Sequence, residues 1–231
     1  MNGLAPGNSV IVHASLRATG LRAEVLIDEL LAEVSPGGLV AMPTFTYDNE
    51  TFDADTPART GALAETFRLR PDAVRSDHPT HSVAAIGPGA AELVAGHRSA
   101  GAVGLDSPLD RIASSGGLVL LVGVGHTANT TVHVGEVHAN APYLDIPFDP
   151  AWPTHGQTSF AGCSRAFGAL ERPLRERDAV SDLKVGAAIA QLVAGSAVIE
   201  ATVALLATDP AALLCTDPGC YRCSRGRARL V

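Results

Sequence analysis

Apolar residues recur along this chain in two rhythms. Short unbroken runs, Val10-Ile11-Val12, Leu39 to Met42, Val83 to Ile86 and Leu118 to Val122, are too short for helices and apolar on both alternating faces, so they predict strands buried on both sides. Between them the spacing turns helical. Val25, Leu26, Leu30, Leu31 and Val34 predict an amphipathic helix over 22–34, stopped by Ser35-Pro36-Gly37-Gly38. Further helices are expected over 60–70, over 88–97 and from Ser107, with Ser107 as cap and Pro108 in the first turn. Another should start among Asn129, Thr130 and Thr131, followed by a charged helix over 164–177, a strand over 183–189 and an alanine-rich helix over 195–206. Strands alternating with helices predict an α/β architecture with some parallel pairing. Residues 138–157 carry Pro142, Pro147, Pro150, Pro153 and Trp152, a composition that suits a covering loop as well as a plain surface crossing.

With 231 residues and no Pro/Gly/Ser linker, the default is one domain over 1–231. The net charge of −7 opposes a general role in binding nucleic acid and suits a cationic ligand. No run approaches the ~20 apolar residues needed to span a bilayer, and the N-terminus lacks a basic stretch followed by an apolar core. A cytoplasmic protein without a membrane partner is expected.

The richest stretch runs from Gly116 to Glu136: an apolar strand, a glycine loop, then a helix start. His133 and Glu136 are three apart and so share a helical face, where a carboxylate can orient an imidazole and stabilise its charged form. Such a pair is more often a solvated face. Its position after a buried strand and a glycine loop favours chemistry, because ligands collect there in open α/β sheets. The loop Gly123-Val124-Gly125-His126-Thr127-Ala128 also matches a dinucleotide-binding pattern, although Glu136 follows too soon to be the ribose carboxylate expected about 20 residues on.

Other polar clusters carry two readings each. Arg75, Ser76, His78 and Ser82 gather donors that suit a phosphate-bearing ligand, while turn chemistry accounts for Ser76, Asp77 and Pro79 but not for Arg75. Asp48, Glu50, Asp53 and Asp55, with Asp145 and Asp149 further on, form either solvated loops or a carboxylate wall for a polyamine. Cys215, Cys220 and Cys223 could hold a structural zinc with Cys163 or a histidine as fourth ligand; reduced, packed thiols are the alternative.

Several segments together resemble one family. Val10 to Gly20, Met42-Pro43-Thr44-Phe45-Thr46, Arg75-Ser76-Asp77-His78-Pro79 with Ser82, Gly104 to Pro108, and Asn129 to Glu136 are similar, in order and spacing, to the aminoglycoside 3-N-acetyltransferase family. The resemblance implies an acetyl-CoA-dependent N-acetyltransferase, distinct from the GNAT enzymes, with an α/β fold built on a central mixed, largely buried sheet flanked by helices. It places His133 and Glu136 on the catalytic pair and Ser15, Leu16, Arg17, Thr44, Arg75, Ser76 and Ser82 on the acetyl-CoA cradle. Asp48, Asp53 and Asp145 become the candidates for an amine-rich substrate, and no metal enters the catalytic site. The expected mechanism is direct transfer in a ternary complex. No Gly-x-Ser-x-Gly elbow is present to make a serine acyl-enzyme. The chain is short between Thr46 and Arg75 and around the proline-rich stretch, where substrate pockets would lie. The competing expectations are an acyltransferase of another small amine, a CoA- or nucleotide-binding protein without turnover, and a nicotinamide-dependent oxidoreductase.

Overall fold

The computed structural model describes residues 3–47, 52–144 and 162–230. Its centre is a seven-stranded mixed sheet whose middle strand is the first in sequence. Strand β1 (Ser9–Ala14) pairs in parallel with β2 (Leu39–Pro43) on one side and with β5 (Leu118–Val122) on the other. Antiparallel strands extend both flanks. β4 (Val83–Ile86) joins β2 and carries the short edge strand β3 (Val74–Arg75), while β7 (Ala188–Ala194) joins β5 and carries β6 (Val180–Val185).

Because side chains alternate across a strand, the continuous apolar runs divide into two cores. Val10, Val12, Val40, Met42, Leu120 and Val122 face helices α2 (Ala23–Val34) and α3 (Ala62–Arg68), whose buried residues include Leu26, Ile27, Leu30, Leu63 and Phe67. Ile11, Ala41, Ala85, Val119 and Leu121 belong to the other core, formed with α6 (Pro108–Ser114), α7 (Thr131–His138) and α9 (Gly195–Thr208). Full burial of a side chain such as Leu26 or Ile27 contributes about 1.5–3 kcal/mol, so either layer supplies enough to fix the register of the sheet. In α2 the inward face is rotated from the expected one: Ile27 is buried and Val25 is exposed.

Three expected elements divide differently. The strand over 183–189 is a hairpin, since its apolar run crosses from β6 to β7 through Gly186, whose φ of +57° gives the chain a left-handed turn at little cost. The helix over 88–97 is two pieces, α4 (Ala90–Val94) and α5 (His97–Ala100), broken where Gly96 adopts a φ of 71°. The charged helix over 164–177 opens as a 3₁₀ turn over Phe167–Leu170 and continues as α8 (Glu171–Arg175). A short helix, α1 (Leu16–Thr19), directly follows β1, and the arginine-rich α10 (Tyr221–Ala228), which has no apolar stripe, was not expected. Among the described residues no helix is long and apolar enough to cross a membrane.

Candidate active site

Strands β1, β2 and β5 run in parallel, so their carboxyl ends open on one side of the sheet, the usual place for a ligand in an open α/β fold. The chain leaving them lines a cavity of about 760 Å³, within the range of small-molecule sites. His13 and Ala14 come from β1, Phe45 and Tyr47 from the segment after β2, and Thr127 to Thr130 from the loop after β5. His81, Arg59, Ser164 and Phe167 close other parts of the wall, and His133 enters from α7.

Local chemistry brings His133 there. Asn129 Oδ1 accepts the Thr131 N–H at 3.0 Å, so among the three candidate caps the asparagine satisfies an amide at the helix start. Two residues after His133, Gly135 lets α7 press onto α9: a Cβ at that position would lie 2.5 Å from the Thr202 Cβ. The next residue, Glu136, is thereby held in the interior at 2 % exposure.

His133 Nδ1 and Glu136 Oε2 are 2.6 Å apart, and Tyr143 donates its hydroxyl to Glu136 Oε1 at 2.9 Å. The ring of Phe167 stands edge-on to the imidazole with centroids 4.6 Å apart, and the Arg222 guanidinium lies 5.9 Å from the Tyr143 ring centre. An ionised carboxylate accepts only, so Nδ1 carries the proton and the neutral ring keeps its lone pair on Nε2. Burial lowers the His133 pKa and Glu136 partly offsets this, so the ring is uncharged near neutrality. A buried, oriented, neutral imidazole beside a small-molecule cavity is equipped to take a proton from a nucleophile.

Residues 11–207 match the family described as aminoglycoside 3-N-acetyltransferase. The chain belongs to that family. It is 32 % identical over 220 residues to aminoglycoside N(3)-acetyltransferase IV of Salmonella sp, an alignment covering 90 % of this chain and 84 % of the relative. The crystal structure of apo AAC(3)-IVa superposes with a TM-score of 0.85 at 30 % identity, covering 98 % of this chain and 92 % of that one. A histidine-to-alanine mutant of AAC(3)-IVa in complex with a gentamicin gives 0.87 with the same identity and coverage. As in those aminoglycoside acetyltransferases, the fold is α/β around a single mixed sheet.

The residues expected to cradle the cofactor lie around the cavity rather than in its lining. Ser15, Leu16 and Arg17 follow the lining residue Ala14, and Thr44 sits between the lining residues Pro43 and Phe45. The Ser15 amide is committed to the Val122 carbonyl at 2.9 Å, which leaves Leu16 and Arg17 to offer any backbone donors from that turn. Arg75 is turned toward protein acceptors: Nε to Ser82 Oγ at 3.0 Å, Nη1 to the carbonyls of Ala54 and Thr56 at 2.9 and 2.6 Å, and Nη2 to the Thr44 carbonyl at 2.9 Å. Ser82 donates its hydroxyl to the Thr44 carbonyl at 2.8 Å. Ser76 accepts from the Val83 N–H and lies 2.8 Å from His97 Nδ1, whose Nε2 meets the Ala102 carbonyl at 3.1 Å. His78 Nδ1 accepts the His81 N–H at 3.0 Å and closes a turn. These groups stitch the 52–56 segment, β2 and β4 together behind the cavity wall.

Of the acidic candidates, Asp48 and Asp145 lie outside the described residues. Asp53 is exposed, caps the Asp55 N–H at 2.9 Å and takes no part in the lining. Among the described residues the lining holds no carboxylate, whereas it does include Arg59.

Sequence reasoning passed over His13, His81, Tyr143 and Phe167. His13 is 8 % exposed, its Nε2 has no protein hydrogen-bond partner among the described residues, and burial pushes its pKa down to about 4. The signal for it was present, since a histidine closing the first buried strand sits where such sheets place ligands. His81, 2.8 Å from Thr80 Oγ1 through Nδ1, is pushed down to about 3, chiefly by burial and then by the neighbouring histidines. Nothing in the sequence pointed to Tyr143 or Phe167, because both reach the dyad by tertiary packing.

Proposed function

We propose that the protein transfers the acetyl group of acetyl-CoA to the 3-amino group of an aminoglycoside, by direct attack in a ternary complex. Membership of the family supplies the reaction class, and the His133–Glu136–Tyr143 chain of hydrogen bonds is the observation that carries the residue roles. An amine is mostly protonated at neutral pH and must lose protons to attack. His133 Nε2 takes a proton from the attacking nitrogen as its lone pair bonds to the thioester carbonyl carbon, and Glu136 stabilises the imidazolium that forms. When the tetrahedral intermediate collapses, the C–S bond breaks, and the proton held by His133 passes to the departing sulfur to give the free CoA thiol. Leu16 and Arg17 amides in the turn after β1 are the candidates to receive the oxyanion. Ser15, Thr44 and the Arg75–Ser82 framework support the cofactor by fixing the wall it rests on. In this role Arg75, Ser76 and Ser82 shape the cradle without touching phosphate.

Of the acidic candidates, Asp48 and Asp145 are retained for aminoglycoside recognition, with polar lining groups such as Thr130 and Ser164 beside them. The deciding experiment incubates the protein with acetyl-CoA and a panel of aminoglycosides, following free thiol release and identifying the acetylated nitrogen by NMR. Thiol release with a 3-N-acetyl product is expected. Turnover only with other amines would transfer the reading to a different acyltransferase, and acetyl-CoA binding without any turnover would leave a binding protein.

A further inference from the structure

The four cysteines have no part in the acetyl transfer, yet they converge from distant parts of the chain. Cys163 stands just before the 3₁₀ turn that carries Phe167, Cys215 and Cys220 lie in the stretch between α9 and α10, and Cys223 is in the first turn of α10. Their sulfur atoms all lie within 4.8 Å of one another, and those of Cys163 and Cys215 are 3.7 Å apart. Four thiolates at about 2.3 Å from a tetrahedral zinc ion stand about 3.8 Å from each other, which is the spacing of this cluster. Cys223 is buried and the other three are half-buried.

A site of four thiolates and one Zn²⁺ carries a net charge of −2. Cations are at hand to offset it: the buried Arg222 is adjacent to Cys223, and Arg227 on the same helix donates to the Cys215 carbonyl.

We propose that Cys163, Cys215, Cys220 and Cys223 form a tetrahedral, structural zinc site that fastens the C-terminal helix to the wall of the candidate active site. Binding displaces four thiol protons to solvent and moves no electrons, so it needs no oxidant. All four positions are filled by protein, which leaves none for a substrate or water and makes the site structural. What it holds matters to the cavity. Gly162 and Ser164, on either side of Cys163, line the cavity together with Phe167, and Arg222, adjacent to Cys223, lies by the ring of the tyrosine that bonds Glu136. The zinc thus ties the far wall of the cavity to the support of the dyad, independently of which amine is acetylated.

The test uses the whole chain, expressed without an affinity tag in zinc-supplemented medium. Elemental analysis and native mass spectrometry should find about one zinc per chain, released by a mercurial in step with four thiols. Replacement by cobalt should give the sulfur-to-metal charge-transfer bands and red ligand-field bands of a tetrahedral thiolate site. Cys220→Ser and Cys223→Ser should each lower zinc affinity by more than about tenfold. If either variant fails to fold, the cobalt spectrum and the stoichiometry of the wild-type chain still decide the matter. Less than about 0.1 equivalent of zinc, with four titratable thiols and a melting temperature indifferent to zinc and to chelator, overturns the proposal. So does disulfide pairing of these cysteines in the purified protein, or iron in place of zinc.

Discussion

Tyr143 donates to the Glu136 carboxylate oxygen that His133 does not use, so both oxygens of a carboxylate that is 2 % exposed are engaged at once. A buried carboxylate left short of donors is costly, and the phenol therefore fixes Glu136 in the rotamer that orients the imidazole. The strength of the dyad depends on a residue outside it.

Removal of the base should be the most damaging single change. His133→Ala is expected to lower kcat by about 10²–10⁴ with little change in acetyl-CoA affinity, measured by steady-state thiol release and by calorimetry with the cofactor. Turnover near the wild-type value would remove His133 from the mechanism.

Glu136→Gln should lower kcat less, because the imidazole remains, and should move the acid limb of the rate profile. Burial lowers the His133 pKa while the charge and hydrogen bond of Glu136 raise it, so neutralising Glu136 shifts the limb further below the ordinary histidine value of 6.5. A kcat/KM profile between pH 4 and 8 reads this directly, and a limb shifted upward would contradict the assigned tautomer. Tyr143→Phe removes the hydroxyl that donates to Glu136 Oε1 and should reduce stability by about 1–3 kcal/mol, seen in denaturant titration.

Arg75 provides a contrast between charge and shape. Four of its contacts run to Ser82 and to the carbonyls of Thr44, Ala54 and Thr56, which a planar fork can reach together and an ammonium cannot. Arg75→Lys should therefore lower the melting temperature and raise KM for acetyl-CoA nearly as much as Arg75→Ala. Full rescue by lysine would instead assign Arg75 to direct neutralisation of phosphate.

The fold should be acid-sensitive. His13, His78 and His97 are pushed from 6.5 down to about 4 and His81 to about 3, with burial the largest cause in each. Their folded-state values lie below the unfolded ones, so between about pH 6.5 and 4 the unfolded chain binds more protons. Stability from this source is complete above pH 6.5 and is lost as the pH falls toward 4. Protonating each ring in place costs on the order of a few kcal/mol, enough for four of them to threaten a typical domain. Circular dichroism against urea at steps from pH 7.5 to 4 should show the midpoint falling through that window; a flat midpoint would mean that the rings ionise without unfolding.

The sequence alone carried β1, β2, β4 and β5 and most of the helices, but not the edge strand β3, because a run such as Leu118 to Val122 has one physical use, burial on both faces of a sheet, whereas two residues at an edge leave no pattern. It also carried the contact of His133 with Glu136, since three-residue spacing on a helix is local geometry. It did not carry the break at Gly96 or the hairpin at Gly186, where a single glycine interrupts an otherwise continuous pattern. Only the tertiary structure decided the rest. Arg75, Ser76 and Ser82 read as donors awaiting a ligand, yet their partners are carbonyls, an amide and a histidine distant in sequence, and a donor's partner is set by what packs beside it. Tyr143 meets Glu136 after the chain reverses at Asn140, and Cys163 meets Cys215 across fifty-two residues. Contacts of that kind have no periodicity to leave in the sequence, because they form only when separate layers close on one another.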